Sequence, residues 1–141
     1  MTQPATVVHL QLKPVPGAPM KPVPSVEAIA DYGLRDDANA GRNRRQVLII
    51  ERELLDEFGL PIGDVRENIT VQGVQLAGTP AGTKVRVGRA LLEATYDCAP
   101  CQFIEDKRPG LREAMHGKRG TLFRVLEGGE IKMGDEIQVL G

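Results

Sequence analysis

Glycine and proline interrupt this chain so often that most of its segments can form only short strands and turns. The 141 residues include 16 Gly and 10 Pro. Beyond Gly59, the residues Gly73, Gly78, Gly82 and Gly88 separate short runs of the β-branched and apolar residues that strands favour. We therefore predict a mainly β fold with a few short helices, and closure of its strands into a barrel would hide the sheet edges.

Hydrophobic periodicity places the individual elements. Val8, Leu10 and Leu12 alternate with polar residues, which predicts a half-buried opening strand. The segment 46–50 is apolar on both faces and predicts a buried strand. Further strands are predicted at 66–72, 84–87, 90–96, 121–127 and 136–140, and helices at 25–32, 52–58 and 109–116.

Two polar or proline-rich stretches lie between these elements. Five prolines fall between Pro14 and Pro24, so we interpret 14–24 as an extended surface connection within a single domain spanning residues 1–141. The segment Leu34–Arg45 is polar and predicts a loop. It is either a solvated surface loop or a functional one, and its composition leaves both open.

Charge and composition argue against several classes of partner. With 18 basic and 19 acidic residues the net charge is -1, so no global field attracts nucleic acid or an anionic membrane. Three Phe, two Tyr and no Trp offer few platforms for stacking bases. The start of the chain has no leader pattern, and no apolar run could span a bilayer. We expect a cytoplasmic protein without nucleic-acid or membrane partners.

The chemically most distinctive segment is Cys98-Ala99-Pro100-Cys101. As half of a zinc site it lacks a second pair of ligands, because His9 and His116 show no ligand spacing. A thioredoxin-like redox pair would need a βαβ pattern, which the predicted elements do not form. Two interpretations remain open, namely a single reactive thiol beside Pro100 and a buried cysteine that acts as a small apolar residue.

Other residues bear on this thiol. Positive charge near a thiol lowers its pKa, and basic residues follow the cysteines closely, although they also suit a solubilising surface. These residues are Lys107, Arg108, Lys118 and Arg119. Asn68 lies in a predicted strand whose apolar residues occupy the alternate positions, on the opposite face from Asn68. A buried Asn is costly unless it is hydrogen-bonded. It could instead cap a turn at the start of a strand.

Taken in order, several segments resemble the MOSC family, the domain found at the C-terminus of molybdenum-cofactor sulfurases and in small standalone bacterial proteins. No single segment is diagnostic, but together they span nearly the whole chain. The segments are 33–41, Arg45-Gln46-Val47, 67–71 with Gly73, Gly82 with Val87-Gly88, Ala99-Pro100-Cys101, Arg119-Gly120 with Val125-Leu126, and 129–135.

The resemblance implies a MOSC-type β-barrel in which Cys101 is the functional, catalytic thiol and Cys98 is an addition. Cys101 would carry sulfur as a persulfide received from a pyridoxal-phosphate cysteine desulfurase. In relatives that reduce N-hydroxylated compounds, the same cysteine would ligate molybdenum. Both roles suit a thiolate, which is a sulfur nucleophile and a soft metal ligand.

The resemblance also implies a binding pocket for the molybdenum cofactor, molybdopterin. Asn68, Arg45, Arg66 and Arg119 would line it. The arginines would offer planar forks to the phosphate of the pterin, and Asn68 would offer a donor and an acceptor.

The chain departs from the family in two respects. The family's first loop commonly has Gly-Asp followed by His, whereas here Asp36-Asp37 is followed by Asn39, which puts any histidine-dependent proton or metal step in doubt. The chain has neither a desulfurase domain nor electron-carrying modules, so we expect a cysteine desulfurase or an electron-transfer partner. Three functions stay open: a sulfur carrier, a molybdenum-dependent reductase component, and a non-catalytic adaptor that uses the loop 34–45.

Overall fold

The structure, a computed structural model, describes residues 4–141, over which the chain forms eleven strands and three short helices. The mainly β prediction is confirmed. The strands are β1 (Thr6–Leu12), β2 (Lys21–Pro22), β3 (Ser25–Ile29), β4 (Gly33–Leu34), β5 (Val47–Glu51), β6 (Ile69–Gln72), β7 (Lys84–Val87), β8 (Ala90–Asp97), β9 (Thr121–Glu127), β10 (Gly129–Lys132) and β11 (Ile137–Val139). The helices are α1 (Arg52–Glu57), α2 (Gln102–Glu105) and α3 (Leu111–Ala114). Residues 1–3, part of the segment on which we judged the absence of a leader, lie outside the described residues.

The strands form two sheets. The larger has the order β11-β7-β8-β9-β5-β6-β1-β2, and the smaller has the order β10-β3-β4. Pairing is antiparallel except between β5 and β6, which are parallel. Helix α1 lies in the connection between β5 and β6, because parallel neighbours need a crossover.

The expected MOSC-type barrel is not confirmed, because the large sheet stays open. Strand β1, next to the end strand β2, approaches the segment before β11 through an isolated bridge between Thr6 and Glu136 and a hydrogen bond from the Val7 N–H to the Asp135 carbonyl (2.8 Å). A tight turn, in which the Asp135 N–H donates to the Lys132 carbonyl (3.0 Å), redirects the chain beside this bridge. Strand β11 forms its ladder with β7, and the isolated bridge to β1 does not extend into a second ladder that would close the sheet.

Strand β5 is buried on both faces, as its composition predicts. Val47 and Ile49 face the main core, where they join residues of both sheets such as Phe123. On the opposite, outer face, Ile50 packs against the three helices. The neighbouring outer residue, Leu48, instead contacts Leu122 and Cys98 in a separate small cluster.

The sequence prediction is wrong for residues 25–32, which do not form a helix. Residues 25–29 form strand β3, in which Val26 and Ala28 point into the core while β10 and β4 pair on either side. Val26 and Ala28 alternate with Ser25, Glu27 and Ile29, and pairing with two strands outweighs the weak local preference for a helical turn.

Smaller corrections concern the course, bounds and number of the elements. The strand predicted at 66–72 begins only at Ile69, and β4 was not predicted. An irregularity in the pairing of β1 between Val7 and His9 places Val7, rather than Val8, in the core. The helix predicted at 109–116 is shortened to α3, and α2 and β10 were not predicted. In the proline-rich stretch, Lys21–Pro22 forms a short edge strand, where proline is tolerated.

None of the helices within residues 4–141 has the length and apolar character that a membrane crossing requires.

Candidate functional site

A cavity of about 130 Å³ lies on the outer face of the large sheet, beside the helices. Leu48 of β5 and Leu122 of β9, which pair directly across the sheet, belong to its lining. The remaining lining residues come from chain segments that are far apart in sequence. They are Lys13, Asn39, Arg42, Arg45, Arg66, Cys98, Cys101, Phe103 and Arg119.

The cavity carries an excess of positive charge. Its cationic side chains are Lys13, Arg42, Arg45, Arg66 and Arg119. Within residues 4–141, none of these five is among the side chains that pair with a carboxylate within 4.0 Å. Burial lowers the pKa of Lys13 and the charge of Arg66 lowers it further, with Asp37 opposing them. Cations that remain unpaired in a confined space attract an anion.

Arg119 is the most deeply buried of these cations. It is only 5% exposed, and its Nε and Nη1 atoms have no hydrogen-bond partner. The next residue, Gly120, has a positive φ of 120°, and a Cβ there would lie 3.3 Å from the Ile49 carbonyl oxygen, so the turn that leads from Arg119 into β9 favours glycine. A buried guanidinium with unsatisfied donors is costly, and an anion in the cavity would offset that cost.

Arg66 is positioned by an aromatic ring. Its backbone has a positive φ of 63°, which is unfavourable for a residue with a side chain. Its guanidinium carbon lies 3.9 Å from the centroid of the Phe103 ring, and Lys107 Nζ lies 4.4 Å from the same centroid. Lys107 in turn forms a salt bridge with Asp64, with 3.0 Å between Nζ and Oδ2. Phe103 therefore anchors Arg66 at the cavity through a cation–π contact.

Arg45 connects the polar loop to the first cysteine. It donates to the Tyr96 hydroxyl (3.4 Å) and to Cys98 Sγ (3.8 Å). The hydrogen bond to Tyr96, followed by the charges of Cys98 and Tyr96, raises the pKa of Arg45, against the opposing effect of burial. The guanidinium therefore stays charged at the cavity wall.

The two cysteines differ in accessibility. Cys98 is 5% exposed, and its backbone N–H donates to the Gly120 carbonyl (2.9 Å). Cys101 is exposed and immediately precedes α2. Both are free thiols, but only Cys101 can be reached directly by a large partner. Cys98 packs with Leu48 and Leu122 and also accepts the hydrogen bond from Arg45, whereas Cys101 has the exposure that a reactive thiol needs.

Asn68 lies behind the cavity and does not line it. Its Oδ1 accepts from the Leu48 N–H (3.0 Å), and its Nδ2 donates to the Gln11 carbonyl (3.3 Å) and to Asp37 Oδ1 (3.0 Å). Asp37 also accepts from the backbone N–H groups of Lys13 (2.7 Å) and Asn39 (3.1 Å). Asn68 and Asp37 thus attach the loop that contains Asn39 to the end of β1.

The structure therefore brings together Arg45, Arg66, Arg119 and Cys101, but not Asn68, around one cavity. Sequence reasoning did not identify Lys13 or Phe103, because neither belongs to a local pattern that indicates a site, and it left open whether the loop 34–45 is functional. Arg42 lies in the polar loop 34–45, so this loop contributes to the cavity.

Within the described part of the chain, no group of three or more His, Cys, Asp or Glu side chains is placed to hold a metal ion.

The fold and the cavity define a small β-rich domain with an exposed cysteine beside a cluster of unpaired cations. The chain belongs to the MOSC domain family, whose family model matches residues 36–138. This family is associated with molybdenum-cofactor sulfurases.

Two solved structures have a similar fold. YuaD from Bacillus subtilis has a TM-score of 0.76 at 23% identity, with 97% of this chain and 96% of that chain covered. YiiM from Geobacillus stearothermophilus has a TM-score of 0.75 at 22% identity, with 98% of this chain and 76% of that chain covered. No match was found among curated proteins.

Proposed function

We propose that this MOSC domain is a sulfur carrier that binds an anionic ligand. Cys101 takes up sulfur as a persulfide, and the neighbouring cavity holds a negatively charged group of the molecule that exchanges this sulfur. One observation carries the proposal: the exposed Cys101 lines the same cavity as Arg119, a buried arginine whose Nε and Nη1 atoms have no hydrogen-bond partner.

The chemistry of the site suits this role. A thiolate is the nucleophilic form of cysteine, and a deprotonated persulfide is likewise an anion, so both are compatible with a cavity lined by guanidinium groups. Because Cys101 is exposed, it can be reached by a pyridoxal-phosphate cysteine desulfurase, which is the partner that we propose as a source of sulfur.

The molybdenum cofactor is one anionic ligand that the residues fit in part. Arg119, Arg66 and Arg45 would hold its phosphate, and Cys101 offers a soft thiolate to molybdenum. The cavity of about 130 Å³ accommodates the phosphate but is smaller than the roughly 300–1,000 Å³ typical of cofactor pockets, so the pterin would lie outside it. When bound, molybdenum would supply redox chemistry.

Sulfur loading tests the proposal. The reduced protein is incubated with a cysteine desulfurase and cysteine labelled at sulfur, and the label is located by intact mass and peptide mapping. We expect one added sulfur atom on Cys101, none in Cys101→Ser, and near-normal loading in Cys98→Ser. Normal loading of Cys101→Ser would contradict the proposal, and equal loss in both variants would indicate a dithiol mechanism.

The exposure of Cys101 also supports a second candidate, a molybdenum-dependent reductase component for N-hydroxylated compounds, in which this thiol is the metal ligand and electrons come from a partner protein. Metal analysis separates the two candidates. Near-stoichiometric molybdenum after expression in a host that makes the cofactor, lost in Cys101→Ser, would favour the reductase. Protein without metal that carries a sulfur atom on Cys101 would favour the carrier.

A further inference from the structure

The size of the cavity restricts what can reach the buried end of Arg119. Its volume of about 130 Å³ is well below the roughly 300–1,000 Å³ typical of cofactor pockets. Such a space suits a small tetrahedral oxyanion or one phosphate group better than a nucleotide base or a pterin ring system.

The unpaired donors determine the charge of the occupant. Arg119 lines the cavity, is more than nine-tenths buried, has Nε and Nη1 atoms without a hydrogen-bond partner, and has no carboxylate within 4.0 Å among residues 4–141. Arg66, Arg45, Arg42 and Lys13 add charge around the same space. A dianion satisfies this set better than a monoanion, because the number of cations far exceeds one.

The thiol determines what else the occupant must carry. Cys101 lines the same cavity, so an anion bound there lies beside a sulfur nucleophile. A small dianion that also contains an electrophilic sulfur would use both features of the site.

We propose that the cavity binds a small sulfur-donating oxyanion of the thiosulfate class, from which Cys101 takes its sulfur directly. This inference rests on the proposed sulfur-carrier function and names a donor for it. The oxygens of thiosulfate would bind Arg119 and its neighbouring cations, and its outer sulfur would face Cys101.

The transfer balances without any external oxidant or reductant. The Cys101 thiolate attacks the outer sulfur of thiosulfate, a new S–S bond forms on Cys101, and the S–S bond of thiosulfate breaks. Sulfite leaves with the electron pair of the broken bond. As negative charge accumulates on the departing sulfite, it develops beside cations that are already in place, which stabilises the transition state.

One anion site then serves two steps in succession. Sulfite must leave before the anionic group of an acceptor can enter, so donor and acceptor react by a ping-pong scheme. Sulfite and inorganic phosphate should both compete with thiosulfate, because each would occupy the space beside Arg119.

The test uses the reduced 141-residue chain and thiosulfate labelled at its outer sulfur. Released sulfite is measured together with the sulfur retained on the protein. We expect one sulfur on Cys101 for each sulfite released, and no reaction in Cys101→Ser. Arg119→Met should lower the rate at limiting thiosulfate by about tenfold to a hundredfold, the range that lost hydrogen bonds to a charged group produce.

Two further variants complete the design. Arg112→Met, at an exposed arginine of α3 outside the cavity, is the matched control and should retain the parent rate. If Arg119→Met does not fold, Arg66→Met tests the same requirement for charge at a less buried position.

A parallel reaction with a cysteine desulfurase as donor separates this inference from the proposed function. Loading of Cys101 by the desulfurase but not by thiosulfate would overturn the inference alone, and failure of both donors would overturn both. Thiosulfate that binds no better than sulfate and releases no sulfite would also overturn the inference, since the cavity would then be a simple anion site.

Discussion

At the scale of single residues, Arg119 combines deep burial with unpaired donors, which is what the proposed anion site requires. An arginine that is 5% exposed has lost most of its contact with water, yet two of its nitrogen atoms have gained no partner. The desolvation cost of this charge is therefore borne by the folded state until an anion binds.

The substitution Arg119→Met tests this cost. Because Met has a similar volume and no charge, we expect the free energy of unfolding to increase by about 1 to 4 kcal/mol in anion-free buffer. The additional stabilisation of the parent protein by sulfate should disappear. Urea unfolding with and without sulfate measures both effects. The control is Arg124→Met, at a partly exposed salt bridge with Glu93, whose response to sulfate gives the general effect of the salt on stability. A loss of stability in Arg119→Met would refute the interpretation.

Lys13 makes the same site sensitive to pH. Burial and Arg66 lower its pKa in the folded state below the value of 10.5. Between the lowered value and 10.5, the unfolded chain binds more protons than the folded chain, so Lys13 makes stability rise with pH in that range.

We expect Lys13→Met to abolish this rise and to increase stability at neutral pH. A bound anion favours protonated Lys13, so the affinity of the parent protein for sulfate should fall as the pH rises through the lowered pKa. Unfolding and sulfate titrations across this range provide the measurement, with Lys84→Met as an exposed control. The same pH profile in Lys13→Met and the parent would show that Lys13 does not report on the cavity.

At the scale of elements, the short helix α2 has a clear role beside the thiol. Its Phe103 lies between the cations of Arg66 and Lys107, at 3.9 Å and 4.4 Å from the ring centroid. The helix is too short to be stable by itself, and its Ile104 is buried in the outer cluster with α1 and α3. The packing of α2 therefore determines the position of Arg66.

Phe103→Leu should weaken sulfate binding by about threefold to tenfold, because it removes the π face but keeps an apolar side chain. Phe58→Leu is a matched control. Phe58 packs against the same cluster, and the centroid of its ring lies 5.9 Å from Lys118 Nζ, but Phe58 does not line the cavity. Isothermal titration with sulfate gives the affinity, and urea unfolding gives the stability. If both variants weaken binding equally, general loosening of the helices explains the effect.

At the scale of the whole molecule, a buried polar network holds distant segments together behind the cavity. Asn68 joins β5 to the end of β1 and to Asp37 through three hydrogen bonds. Asp37 then fixes the loop that supplies Asn39 and Arg42. The shape of the cavity depends on this network even though Asn68 does not line it.

Asn68→Ala should lower the free energy of unfolding by about 2 to 4 kcal/mol, because it leaves the buried Leu48 N–H without an acceptor and removes a donor from Asp37. The exposed amide of Gln75 provides a control, and Gln75→Ala should change stability by less than about 0.5 kcal/mol. A variant that binds sulfate poorly but unfolds like the parent would instead indicate that Asn68 contacts the ligand directly.

The sequence by itself determined the properties that depend on neighbouring residues. Frequent glycine and proline predicted a mainly β chain, and an apolar run predicted the doubly buried strand β5. The segment Cys98–Cys101 and the order of motifs identified the family. These signals are local, because side-chain alternation and backbone restriction are written into consecutive residues.

Only the tertiary structure decided how these parts form a site. It buried Cys98 and exposed Cys101, although the two residues have the same chemistry and lie three positions apart. It also brought Lys13, Arg66 and Arg119 around one cavity and placed Asn68 behind it. Convergence of this kind depends on the pairing of strands that are distant in sequence, and no periodicity within one segment records which segments will meet.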